Sequence, residues 1–166
     1  MAEADILVHS PLHSALHDEE ITKLLPEHGA DANIGHHIYP PLASAARTTE
    51  AIVTLLLDYG ADPNLVGRED SNWGIIVSGL CWAVHWGNAP MTKLLLERGA
   101  DWRHAVHQSV LHNAAAHGRT EVIGVLLDCG VGVNGSIPPG LTALQYAIAN
   151  GHAEAAELLR SRGARM

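Results

Sequence analysis

Phenylalanine is absent, and the seven aromatic residues of this 166-residue chain are four Trp and three Tyr. That poverty disfavours an all-β barrel or sandwich, whose strands draw on aromatic and β-branched side chains. Basic residues are also scarce: 10 Lys and Arg stand against 18 Asp and Glu, a formal charge of −8. A nucleic-acid binder normally carries a basic face, and a peripheral membrane clamp a polybasic one, so neither partner is expected. The two cysteines, Cys81 and Cys129, lie 48 residues apart and form neither a CxxC pair nor a zinc framework. They read as reduced, mostly buried thiols of an intracellular protein.

Long hydrophobic runs are missing too. The longest weakly polar stretch, 74–84, has eleven residues, where a bilayer span needs about 20. The first ten residues, MAEADILVHS, lack the basic and apolar regions of a signal peptide. A soluble cytoplasmic protein is expected. No GxGxxG follows a strand pattern, and there is no P-loop, HExxH or GxSxG, so no cofactor is called for.

What the chain does have is Ala and Leu, 24 and 21 residues, a helical composition with small side chains for close packing. These residues recur in register. Five segments place Ala three positions after an anchor Leu: Leu12/Ala15, Leu42/Ala45, Leu80/Ala83, Leu111/Ala114 and Leu144/Ala147. The anchors are spaced by 30, 38, 31 and 33 residues. Each is followed by a Leu-rich stretch ending at Gly29, Gly60, Gly99, Gly130 or Gly163. The i, i+3 spacing puts Leu and Ala on one face of a short helix. The terminal Gly marks the end of a second one.

The pattern Leu-His-x-Ala, seen as Leu12-His13-Ser14-Ala15 and Leu111-His112-Asn113-Ala114, resembles the ankyrin repeat signature at its period of about 33. The mid-repeat turn of that family is matched by Gly118-Arg119 and Gly151-His152, and loosely by Gly87-Asn88. The resemblance implies an all-α repeat solenoid of five stacked helix–turn–helix repeats with projecting hairpin loops, at about 8–36, 37–75, 76–106, 107–140 and 141–166. The whole chain, 1–166, then forms one domain. One departure stands out. From Gly60 to Leu80 is 20 residues against 12 to 14 at the other junctions, an insertion containing Trp73, Ile75, Ile76 and Val77. Loops of such length in compact domains are usually functional or disordered, and the apolar content of this one favours the first.

The resemblance further implies a concave binding face. Its contact positions lie just before the anchor Leu and five and six residues after it. They hold His17 and Asp18; His37, Tyr39, Arg47 and Thr48; Ile75, Val77, His85 and Trp86; Val106, Gln108, Ala116 and His117; and Leu141, Ala149 and Asn150. From these come the expected binding residues Tyr39, Arg47, Ile75, Val77, His85, Trp86, Gln108, His117 and Asn150, and the inserted loop adds Trp73. Trp82 and Tyr146 fall at core positions, and Trp102 is expected to pack beneath a hairpin.

Twelve histidines invite a catalytic reading. His13 and His112 match a structural hydrogen-bonding position of the family. His28 and His152 match ordinary turn positions, and no metal site is expected. The remaining candidates for acid–base work are His17, His37, His85 and His117, with Asp18 as an orienting carboxylate. Two functions stay open. One is a monomeric module holding a protein partner. The other is a small-molecule binder or cofactor-independent isomerase, cyclase or dehydratase, taking a small apolar ligand in a Trp- and His-lined pocket. The chain's ending suits either a whole small protein or part of a larger scaffold.

Overall fold

The computed structural model describes residues 11–33, 40–68, 76–103, 109–137 and 140–165. The expected binding residues Tyr39, Trp73, Ile75 and Gln108, the candidate His37, and the side chain of Val77 lie outside them.

Among the described residues, ten helices alternate between short and long. The short ones are α1 (Pro11–Ala15), α3 (Pro41–Ala45), α5 (Gly79–Trp86), α7 (Val110–Ala116) and α9 (Ala143–Ala149). The long ones, each nine residues, are α2 (Glu19–Glu27), α4 (Glu50–Asp58), α6 (Ala89–Glu97), α8 (Thr120–Asp128) and α10 (Ala153–Ser161). This is the all-α repeat architecture implied by the Leu–Ala–Gly register.

The long helices share a length because each stops the same way. After α4, Gly60 takes φ +84°. Its N–H then bonds to the Leu57 carbonyl at 3.1 Å and the N–H of Ala61 to that of Leu56 at 2.9 Å. These are the paired bonds of a Schellman cap, which a left-handed residue permits. Several starts are sealed by side chains. The Asp18 carboxylate accepts from the N–H groups of Glu20 and Ile21 at the head of α2. Thr142 and Gln145 form a reciprocal capping box on α9.

Two antiparallel ladders complete the secondary structure of the described residues. In one, β1 (Gly67–Arg68) pairs with β2 (Ile76–Val77), so the two flanks of the insertion are joined. In the other, β3 (Ser136–Ile137) pairs with β4 (Leu141–Thr142).

The chain divides into two compact units, Met1–Trp82 with Arg98–Ala100, and Ala83–Glu97 with Asp101–Met166. In the first, α1 packs on α2 and α3, and α4 on α2 and α3, over buried Leu12, Ala15, Leu42, Ala45, Val53 and Leu56. In the second, α8 packs on α6, α7 and α10, and α9 on α7 and α10. Leu95, Leu111, Ala114, Leu126, Leu144 and Leu159 are at most 2% exposed there. The expectations for Trp82 and Tyr146 and for Cys129 need adjustment. Trp82 and Tyr146 are half-buried rather than core, since a large ring at that position outgrows the space between small helices. Trp102 is half-buried, with the Arg103 guanidinium over its ring. Cys129 is exposed, because it falls on the helix-ending turn just before Gly130; Cys81 is half-buried.

Candidate binding site

The second unit brings together three of the sequence candidates. His85 and Trp86 close α5, and His117 caps the C-terminus of α7. The His85 and His117 rings meet edge to face, centroids 4.8 Å apart at 69°. His85 also meets Trp86 edge to face at 5.6 Å. Trp86 is 58% exposed, more than any other large hydrophobic residue among those described.

Local chain geometry explains the placement. Trp86, His117 and Asn150 each immediately precede a positive-φ glycine: Gly87 (+77°), Gly118 (+63°) and Gly151 (+76°). Each is therefore the last residue before the chain reverses into the long helix, where the side chain cannot enter the core. The helix-end carbonyls are used locally. His117 donates Nδ1–H to the Asn113 carbonyl at 2.9 Å, which leaves Nε2 as an acceptor in the neutral ring. Asn150 does likewise toward the Tyr146 carbonyl at 2.9 Å. An indole and two imidazoles thus form an aromatic platform with mixed donor and acceptor capacity.

The remaining candidates behave differently. In the first unit Arg47 is exposed, and its guanidinium lies 5.1 Å from the centre of the Trp82 ring, within cation–π range. Asp18 is committed to capping α2, and His17 beside it is exposed.

The structural histidines fall as the register implied. His13 Nε2 meets Ser44 Oγ at 2.7 Å, and His112 donates Nε2–H to the Gly135 carbonyl at 3.0 Å. His112 is 5% exposed. Burial pushes its pKa below the ordinary 6.5, while the carbonyls of Gly135 and Leu141 push it back up. With the proton on Nε2, Nδ1 is a buried lone pair without a hydrogen bond.

His152, by contrast, is no idle turn residue. Its ring covers Gly118 and donates Nε2–H to the Ala116 carbonyl at 3.0 Å. Arg119 does the same over Gly87, toward the His85 carbonyl at 3.1 Å. Sequence reasoning also passed over the asparagines. Asn33 Nδ2 bonds to the Gly60 carbonyl, Asn64 to that of Gly99, and Asn134 to that of Gly163, at 3.0, 3.0 and 3.1 Å. Their common place four residues after a helix-ending Gly was visible in the sequence.

Neither described cavity is lined by His85, Trp86 or His117. Among the described residues no three His, Cys, Asp or Glu come together as a metal site. No described helix is long and apolar enough to cross a membrane.

Comparison with known proteins agrees with the architecture. The family model for ankyrin repeats (3 copies) matches residues 80–166. The chain is 29% identical over 144 residues to the ankyrin repeat protein FPV014 of fowlpox virus (strain NVSL), covering 84% of this chain and 32% of the viral protein. It is 36% identical over 87 residues to the E3 ubiquitin-protein ligase Ufd4 of Drosophila melanogaster, covering 51% of this chain and 3% of the ligase. The chain thus spans about a third of one curated relative and a small fraction of the other. With five helix pairs in one register among the described residues and a family model matching the last three, the chain belongs to the ankyrin repeat family.

Proposed function

We propose that this chain is a protein-binding module whose contact surface in the second unit centres on Trp86, His85 and His117. Ankyrin repeats generally mediate protein–protein interaction, and the observation that carries the reading here is Trp86 itself. An indole 58% exposed, held edge to face by one imidazole that is in turn held by another, is a large, rigid contact surface. Tryptophan and other aromatics are where interface energy concentrates, because they cover much area for little lost rotamer freedom. Asn150 extends the surface at the next repeat, and Arg47, stacked on Trp82, offers a cationic contact in the first unit. Tyr39, Ile75, Val77 and Gln108 belong to the same proposed set by their register, and Trp73 by its place in the inserted loop. A monomer acting in the cytoplasm, without nucleic acid, membrane or cofactor, is the setting this reading takes. Ligase activity of the Drosophila relative is not carried over.

The experiment is affinity capture with the purified chain, followed by the same capture with Trp86→Ala and with His117→Ala. Loss of a wild-type-specific protein with both variants, at unchanged melting temperature, supports the reading. Retention of every captured protein by Trp86→Ala refutes this surface as the contact.

A further inference from the structure

A second feature of the same unit lies away from the aromatic platform. The turn carrying Trp102 and Arg103 and the loop 131–137 border a cavity of about 390 Å³. That is within the ~300–1,000 Å³ range of small-molecule sites. Its lining includes Leu111, Val131 and Ile137, together with His112, Trp102 and Arg103.

A substitution in the repeat register coincides with this cavity. At other junctions an Asn four residues after the helix-ending Gly bonds to the next such Gly, as Asn33 does with Gly60 and Asn134 with Gly163. At this junction the equivalent residue is Arg103. The turn itself is kept. Asp101 Oδ1 accepts the Arg103 N–H at 2.9 Å, as Asp31 accepts that of Asn33 at 2.8 Å. The side chain differs: the guanidinium lies 4.3 Å from the centre of the Trp102 ring. Its ion pair with Asp101 is long, 3.8 Å, and both side chains are more than half exposed. Such a pair holds its cation weakly and leaves it able to engage a second anion.

The cavity lining therefore joins apolar side chains, the Trp102–Arg103 stack and a guanidinium edge. A guanidinium edge pairs with a carboxylate in two parallel hydrogen bonds. Leu111, Val131 and Ile137 offer apolar surface to a ring attached to that carboxylate. We propose that this cavity binds a small aromatic carboxylate, with Arg103 as its counter-ion. The proposal goes beyond the protein-binding reading and does not depend on Trp86.

The test is a titration of the full chain with phenylacetate, followed by the amide signals of 131–137 and the Trp102 indole N–H in NMR. Phenylacetamide is the neutral control. Saturable shifts with a Kd below about 1 mM, and binding of the amide at least ~10-fold weaker, are expected. Arg103→Gln removes an exposed charge without touching the core and should weaken phenylacetate at least ~10-fold. Gly132→Leu fills the cavity instead. Gly132 lines it, and a Cβ there meets nothing within 4 Å, so the fold should tolerate the change while phenylacetate binding disappears. Absence of saturation, equal affinity for acid and amide, or an Arg103→Gln variant that binds as well as wild type would each overturn the proposal. Loss of phenylacetate binding in Trp86→Ala would place the site on the aromatic platform and overturn it as well.

Discussion

The Arg119 side chain lies across Gly87 and donates its Nε–H to the carbonyl of His85 at 3.1 Å, 34 residues back in the chain. His152 bears the same relation to Gly118 and the Ala116 carbonyl, at 3.0 Å across 36 residues. The glycine of one repeat is bare so that the next repeat's side chain can cover it and take up a helix-end carbonyl that would otherwise lack a partner.

Two demands therefore meet at Gly87 and Gly118. Both have positive φ, where a side chain costs about 1–2 kcal/mol. A Cβ on Gly87 would stand 2.7 Å from Arg119 Cδ, and one on Gly118 would stand 2.6 Å from His152 Nδ1. The Arg119 chain can bend away, whereas the imidazole is stiff and must abandon its hydrogen bond. Gly118→Ala is expected to cost about 2–3 kcal/mol and Gly87→Ala about 1–2 kcal/mol, read from urea midpoints. Equal and negligible losses would show that neither contact supports the fold.

His112 links stability to pH. Its folded pKa is below the ordinary 6.5, so above pH 6.5 the ring is neutral in both states and its contribution is constant. As pH falls below 6.5, the unfolded chain takes up a proton that the folded one resists, and stability drops until the lowered folded pKa is passed. His112→Gln, which can still donate to the Gly135 carbonyl, should lower stability at pH 7.5. It should also flatten the decline between pH 6.5 and 5. Melting temperatures of both proteins across that range measure it, and parallel curves would contradict the assignment.

Much of this was legible in the sequence. The Leu, Ala and Gly positions set the helix pairs because each has one local role, as anchor, point of close approach or reversal. The platform was legible only by halves. His85, Trp86 and His117 could each be assigned to a helix end from the register. That the two imidazoles meet depends on how α5 and α7 lie side by side, which spacing does not encode. The bond of the turn residue His152 to the Ala116 carbonyl was missed, since that partner is backbone and carries no sequence signal. Cys129 was misread because composition speaks of cysteines in general and not of one placed on a helix-ending turn. Arg103 was missed although its signal was present, as the odd member of a series that otherwise reads Asn33, Asn64 and Asn134.

Ala114 tests the packing of the fourth repeat. It is fully buried on α7, which packs on both α8 and α9. A small residue there sets how closely the helices approach. Ala114→Leu adds three carbons where no space exists and should cost about 1–3 kcal/mol. Thermal melts followed by circular dichroism would show it, and an unchanged midpoint would mean that the α7 interface is looser than the burial indicates.

Arg103 offers the complementary test, a gain rather than a loss. The backbone around it follows the turn of Asn33, with the N–H of the residue two beyond Asp bound by that carboxylate in both places. The turn at Asn64 is the same, with Asp62 accepting at 2.8 Å. Asn in this setting reaches the carbonyl of the next helix-ending glycine, as Asn134 reaches Gly163 at 3.1 Å. The same side chain accepts the N–H of Arg165 at 2.8 Å, so one Asn joins two loops through both ends of its amide. Arg103→Asn should restore this link toward Gly130 and raise stability by about 0.5–1.5 kcal/mol, the ordinary net value of a hydrogen bond. It removes only a weak, exposed ion pair with Asp101, which offsets little of that gain. Hydrogen exchange at the 131–135 amides is the sharper measurement, because slower exchange confined to that loop identifies the new link. Exchange unchanged there, or a lower melting temperature, would show that the Trp102–Arg103 stack stabilises this junction better than the Asn it replaces.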